Sequence, residues 1–228
     1  MEIGEILRTA SVWVIPVLLA ITLHEAAHGW AAWRLGDNTA YMLGRVSFNP
    51  FRHIDLFGTI VLPAILIFTR APFLFGWAKP VPVRFGALKY PRRDMVLVAA
   101  AGPATNLILA ILSALLIHAV FLVPDDFGKW LQLNLLNSLW LNLVLAVFNM
   151  LPIPPLDGGR VLVGLLPEPF SSWLAGVERF GMFILVGLLI VAPMLARQTG
   201  GEFNIFAWLV GEPVALLRDW ILVVTGHR

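Results

Sequence analysis

Residues 10–33 read ASVWVIPVLLAITLHEAAHGWAAW, an apolar run long enough to cross a bilayer that also carries His24, Glu25 and His28. On a helix, side chains four residues apart share a face. Both imidazoles can therefore reach one metal ion, with Glu25 beside them to take a proton from water activated there. An ionisable group at membrane depth marks a functional site by default. The motif alone also fits a soluble helix with two hydrogen-bonded core histidines, so its surroundings decide.

Those surroundings are apolar throughout. Of 228 residues, 59% are hydrophobic and 13% charged, and the mean hydropathy is +0.83. Soluble domains carry about 25% charged residues. The chain is expected to be an integral membrane protein, an all-α polytopic helical bundle, with residues 1–228 forming one membrane domain. With no cysteine there is neither a disulfide framework nor a thiolate site, so a metal here must take nitrogen and oxygen ligands. The start has no basic stretch or small-residue cleavage site, so the first apolar segment is expected to be retained.

Spans of about 20 residues are expected at 10–33, 95–123, 131–150 and 176–196. Segment 57–68 is short and broken by Pro63, which suggests a short span or a re-entrant element, giving a short extended interruption between the first two long spans. The tail, 203–224, contains Glu212, Pro213, Arg218 and Asp219 and reads as an interfacial or broken helix. Arg34, Arg45, Arg52, Lys79, Arg84, Lys89, Arg92 and Arg93 all lie between the first two long spans, whereas 123–130 carries Asp125, Asp126 and only Lys129. By the positive-inside rule, 34–94 begins and ends on the cytoplasmic side. Orientation and lipid headgroups account for these cations, and a net charge of +2 does not imply nucleic acid.

A catalytic zinc site usually has three protein ligands and one open position. The candidate third ligand is Asp157 in FNMLPIPPLDGGR, residues 148–160, where Pro152, Pro154 and Pro155 stop a regular helix. Gly158 and Gly159 are expected to allow unusual backbone angles. Without the histidine motif, the same stretch would read as an exposed Asp-Gly turn. His24 lies about 14 Å inside the cytoplasmic end of its helix if that end is near Trp33. AAAGPATN, residues 99–106, follows the cytoplasmic start of one span, and Asp157 follows the cytoplasmic end of another. All three motifs can therefore converge on one side of the bilayer.

HEAAH at 24–28, AGPATN at 101–106 and FNMLPIPPLDGGR at 148–160, in that order, resemble the site-2 protease family of intramembrane zinc metalloproteases. NPFRHIDLFGT, 49–59, and GWAKPVPV, 76–83, are similar to its compact bacterial branch, and the short 124–130 loop leaves no room for the PDZ insertion of other branches. The resemblance implies one Zn2+ held by His24, His28 and Asp157, with Glu25 as general base. It implies a bacterial cell-membrane location with the site toward the cytoplasm, and a transmembrane or membrane-anchored peptide substrate, either an anchored factor or a remnant signal peptide. Asn106 is similar to a family asparagine that contacts substrate or the developing oxyanion, although an interhelical hydrogen bond is an equal expectation. Asn149 reads as structural pairing.

A substrate helix hides its amides, so it must unwind before cleavage. Lys79, Pro80, Val81, Pro82 and Val83 form a Pro-spaced stretch that can offer an edge strand to an unwound peptide, or act as a rigid connector. His53 and Asp55 read as a cap or headgroup contact rather than a pair supporting the metal, His118 as packing, and His227 as solvated. Two other function classes compete: a non-catalytic zinc-containing membrane binding protein and a zinc carrier. Structural zinc is usually closed by four protein ligands. A carrier needs ionisable groups along its path, yet 95–123 holds only His118 and 131–150 holds none.

Overall fold

A computed structural model describes residues 3–62, 65, 78–187 and 205–227. The helices in chain order are α1 (Ile3–Arg34), α2 (Thr39–Met42), α3 (Pro91–Ile117), α4 (Asp125–Asn149), α5 (Asp157–Leu165), α6 (Phe170–Val177), α7 (Gly181–Val186) and α8 (Glu212–Val224). No strand occurs among the described residues, and the all-α expectation holds. Stretches within α1, α3 and α4, namely Leu7–Arg34, Pro91–Ile117 and Asp125–Asn149, are long and apolar enough to cross a membrane. They match the first three expected spans and make this a multi-pass membrane protein.

The ends of these helices follow from local chemistry. Pro91 opens α3, where its missing N–H costs nothing, and buried Asp94 reaches back to accept the Tyr90 N–H at 2.9 Å. Asp125 and Asp126 fill the first turn of α4, where negative charge complements the helix dipole. Of the expected fourth span, 188–196 lies outside the described residues. Its earlier part comprises the end of α6, a tight turn at Glu178–Phe180 and α7.

Helix α3 is central, packing against α1, α4 and α5. Its buried positions include Ala99, Gly102, Ala110 and Ala114, small residues that let neighbouring backbones approach closely. The main apolar cluster joins Ala110 and Ala114 to Leu139 and Leu143 of α4, Leu151 and Leu156 of the following loop, Leu185 of α7, and Val210, Val214 and Ile221. The tail, expected as an interfacial or broken helix, contributes to this cluster. A π-helical turn at Ala207–Gly211 leads into α8, and Val210 and Ile221 are each only 1% exposed. One face is packed into the bundle, while Arg218 and Asp219 pair with each other outside.

Large apolar side chains instead cover the outside: Val14, Ile15, Leu18 and Leu19 on α1, Ile108, Leu112 and Leu115 on α3, and Leu133, Leu136 and Trp140 on α4. His24, His28, Asn106, Asn142 and Asp157 are buried. Apolar patches of this extent with a polar interior suit a lipid solvent rather than water. Helices α1 and α4 are fastened by polar contacts, with Trp130 Nε1–H donating to Ser11 Oγ and Asn137 Nδ2–H to the Val12 carbonyl.

Between α2 and α3 the chain is irregular. Asp55 caps a π-helical turn, Leu56–Val61, by accepting the Gly58 N–H, as its capping reading expects. The remainder of the expected 57–68 element, at 63, 64 and 66–68, lies outside the described residues. His53 is buried and bonds to the Ser47 carbonyl. His118 and His227 stack with centroids 4.0 Å apart, and their Nε2 atoms meet the Thr225 and Ala114 carbonyls. The half-buried His227 is thus part of a clasp between α3 and the end of α8, not solvated.

Leu143 is fully buried where α3, α4 and the tail meet. Leu143→Ala is expected to cost about 2–5 kcal/mol through lost contacts and a residual cavity, read as a lower unfolding temperature of the purified protein in detergent.

Candidate metal centre

His24 and His28 lie one turn apart on α1 and point toward α3 and the start of α5. Their Nε2 atoms are 3.0 Å apart, and Asp157 Oδ2 lies 3.2 Å from the first and 3.3 Å from the second. All three side chains are buried, and these residues form a group able to hold a metal ion. The other ring nitrogens fix the proton positions. His28 Nδ1 is 2.7 Å from the Val98 carbonyl, which only accepts. His24 Nδ1 is 2.5 Å from Asn106 Oδ1, the acceptor end of that amide, because Asn106 Nδ2 donates to the Ala20 carbonyl and Asn142 Oδ1. Each neutral ring therefore carries its hydrogen on Nδ1 and turns the Nε2 lone pair inward.

Two lone pairs and a carboxylate oxygen thus face one another with no hydrogen among them, and Asp157 Oδ2 has no hydrogen-bond donor. Such an arrangement repels itself unless a cation joins it. Bonds of about 2.0 Å to a tetrahedral zinc place ligand atoms about 3.3 Å apart, which these distances match. The residues fit the metal.

The space between the ligand atoms and α3 depends on Gly102. A Cβ there would stand 2.4 Å from His28 Nε2 and 2.6 Å from His24 Nε2. Gly102 was not singled out in the sequence, though it lies inside AGPATN. Gly158 and Gly159 play a different part from the one expected. Neither has a positive φ. A Cβ at 158 would meet the Met150 carbonyl oxygen at 2.2 Å and one at 159 would meet Pro154 N at 2.4 Å. Their missing side chains let the proline-rich loop fold down on the first turn of α5, seating Asp157.

Glu25 is half-buried beside the cluster, and its Oε2 accepts the Val81 N–H at 2.9 Å. The Pro-spaced segment is therefore laid against α1. Lys79 N–H donates to the His53 carbonyl, Arg45 donates to the Lys79 carbonyl, and Arg84 N–H donates to Asp37 Oδ2. Asp37, just past α1 and 1% exposed, also accepts the Thr39 N–H and hydroxyl. Burial raises its pKa, but the Thr39 and Arg84 hydrogen bonds outweigh that and hold it below the usual carboxylate range. Asn149 bonds within its own helix to Leu145, the structural pairing expected. Both N–H groups of Asn106 make interhelical hydrogen bonds, to the Ala20 carbonyl of α1 and to Asn142 Oδ1 of α4.

Fold and site together define a membrane-spanning helical bundle with a two-histidine, one-carboxylate group able to hold a metal ion. Residues 126–192 match Peptidase family M50. YwhC of Bacillus subtilis, provisionally named a zinc metalloprotease, is 41% identical over 193 residues, covering 79% of this chain and 80% of its own. Rip2 of Mycobacterium tuberculosis, named in the same way, is 32% identical over 206 residues, covering 89% and 75%. The chain belongs to peptidase family M50, and with the centre described above it is a metalloprotease. No solved structure matches it.

Gly102→Ala is expected to weaken zinc binding by at least about tenfold, as misplaced ligands do, measured by chelator competition on folded protein. Asp37 provides a second check. Its depressed pKa contributes stability that is present above the unfolded value of about 3.9 and is lost as pH falls through the lower folded value. Asp37→Asn is expected to melt below wild type at about pH 7, and the gap should close as the solution is acidified toward about pH 3.

Proposed function

We infer that this member of peptidase family M50 is an intramembrane zinc endopeptidase that hydrolyses peptide bonds in or near transmembrane segments of membrane proteins or remnant signal peptides. The observation that carries this reading is the triangle of His24 Nε2, His28 Nε2 and Asp157 Oδ2 in an apolar bundle, with Glu25 beside it. His24, His28 and Asp157 would hold the zinc. When bound, the metal supplies a Lewis acid that polarises the scissile carbonyl and makes water acidic enough to attack near neutral pH. Glu25 takes the proton of the attacking water and returns it to the leaving amine. The Val81 N–H orients the Glu25 carboxylate for this task.

The segment at Lys79, Pro80, Val81, Pro82 and Val83 is the surface along which an unwound substrate lies. Lys79 and Val81 already donate inward, and Pro80 and Pro82 have no N–H. A peptide beside these four residues must therefore supply the donors itself, as a helix unwound from its own bonds does. The basic residues between the first two long spans support a site facing the cytoplasm of a bacterial cell.

The test is cleavage of a panel of transmembrane peptides in lipid by metal-analysed wild type and Glu25→Gln. Wild type is expected to cleave, and the variant to keep one zinc and lose about a hundredfold or more in rate. Equal cleavage by both proteins rules out Glu25 as the base. Zinc in both with cleavage by neither favours a non-catalytic zinc-binding role.

A further inference from the structure

The cluster is connected to a second buried polar system that the proposed chemistry leaves unused. Asn106 of α3 and Asn142 of α4 are 0% and 1% exposed. Asn106 Oδ1 meets His24 Nδ1 at 2.5 Å, and Asn106 Nδ2 donates to Asn142 Oδ1 at 2.7 Å and to the Ala20 carbonyl at 3.3 Å. Asn142 Nδ2 donates to the Ser138 carbonyl at 2.9 Å and meets Ser138 Oγ at 3.2 Å. The Ser138 hydroxyl lies 2.8 Å from that of Ser113.

Each link constrains the orientation of the next, and at Asn106 the shorter bond to Asn142, 2.7 Å against 3.3 Å to the Ala20 carbonyl, acts in the same direction. A backbone carbonyl can only accept, so the Ser138 carbonyl fixes which end of the Asn142 amide is nitrogen. The opposite end of Asn142 then offers only an acceptor to Asn106. A reversed Asn106 would set two amide oxygens against each other between α3 and α4. It would also turn its N–H toward His24 Nδ1, driving the imidazole hydrogen to Nε2, where it blocks coordination. In an apolar interior such a mismatch has no water to relieve it.

We propose that Asn142 is a positioning residue for the metal centre, selecting through Asn106 the His24 tautomer that presents an Nε2 lone pair to the metal. This rests on the reading of His24 as a ligand. The orienting partner of a ligand histidine is commonly a single carboxylate or carbonyl. Here it is a two-amide relay anchored on a different helix.

The experiment uses full-length protein in lipid, with zinc affinity by chelator competition and the His24 tautomer by 15N NMR of the metal-free protein. Wild type is expected to bind one zinc and to show hydrogen on His24 Nδ1. Asn142→Leu should weaken zinc binding about tenfold and mix the tautomers. Asn142→Asp, as the neutral acid that an apolar interior favours, keeps an oxygen facing Asn106 and an O–H for the Ser138 carbonyl, and should recover most of the affinity. Asn134→Leu, also buried on α4 but bonded only within its own helix, should leave both readouts unchanged. Folded Asn142→Leu with wild-type zinc affinity and an unchanged tautomer would overturn the relay. So would a neutral His24 ring carrying its hydrogen on Nε2 in metal-free wild type, a result that needs no variant. A wild type that binds no zinc would instead remove the metal-centre reading and the relay with it.

Discussion

Two imidazole nitrogens and a carboxylate oxygen held 3.0–3.3 Å apart inside an apolar bundle require compensation for their mutual repulsion. In water such groups would part or take up protons. Here the rings are fixed from behind by the Val98 carbonyl and Asn106, and Asp157 is seated by a loop packed on glycine backbone. A cation of the right size relieves the arrangement, and the fold supplies the restraint that keeps its ligands from relaxing away before it binds.

That constraint explains where the small residues lie. Gly102 leaves the volume in front of the histidines open, while Ala110 and Ala114 bring α3 close to α4 farther along. Close approach shortens interhelical hydrogen bonds, which is why Asn106 can reach α1 and α4 at once. On the other side of α1, Asp37, His53 and Arg45 hold the Pro-spaced segment against the helix, so that Glu25 meets a backbone N–H rather than lipid.

Much of this was legible in the sequence because some features are local. The histidine spacing, the length of the first three spans and the all-α class follow from periodicity and hydropathy within single segments. Asp157 could be chosen because proline and glycine punctuate an otherwise apolar chain beside it. Gly102, Asn142 and Asp37 were not singled out. Their importance lies in which atoms face them across a helix interface, and that depends on the rotation of one helix about its axis relative to another. For the same reason Gly158 and Gly159 suggested unusual dihedrals when their function is clearance, and the inward packing of tail positions 210, 214 and 221 was not read from the sequence.

The centre is also discontinuous along the chain, with both long helices α3 and α4 between His28 and Asp157. During synthesis the histidine pair enters the bilayer well before the carboxylate exists. A nascent chain can therefore present at most two of the three metal-binding atoms, and the set closes only after α3 and α4 have inserted and the following loop has docked. The three-atom group is thus a property of the assembled bundle and of no shorter stretch of the chain.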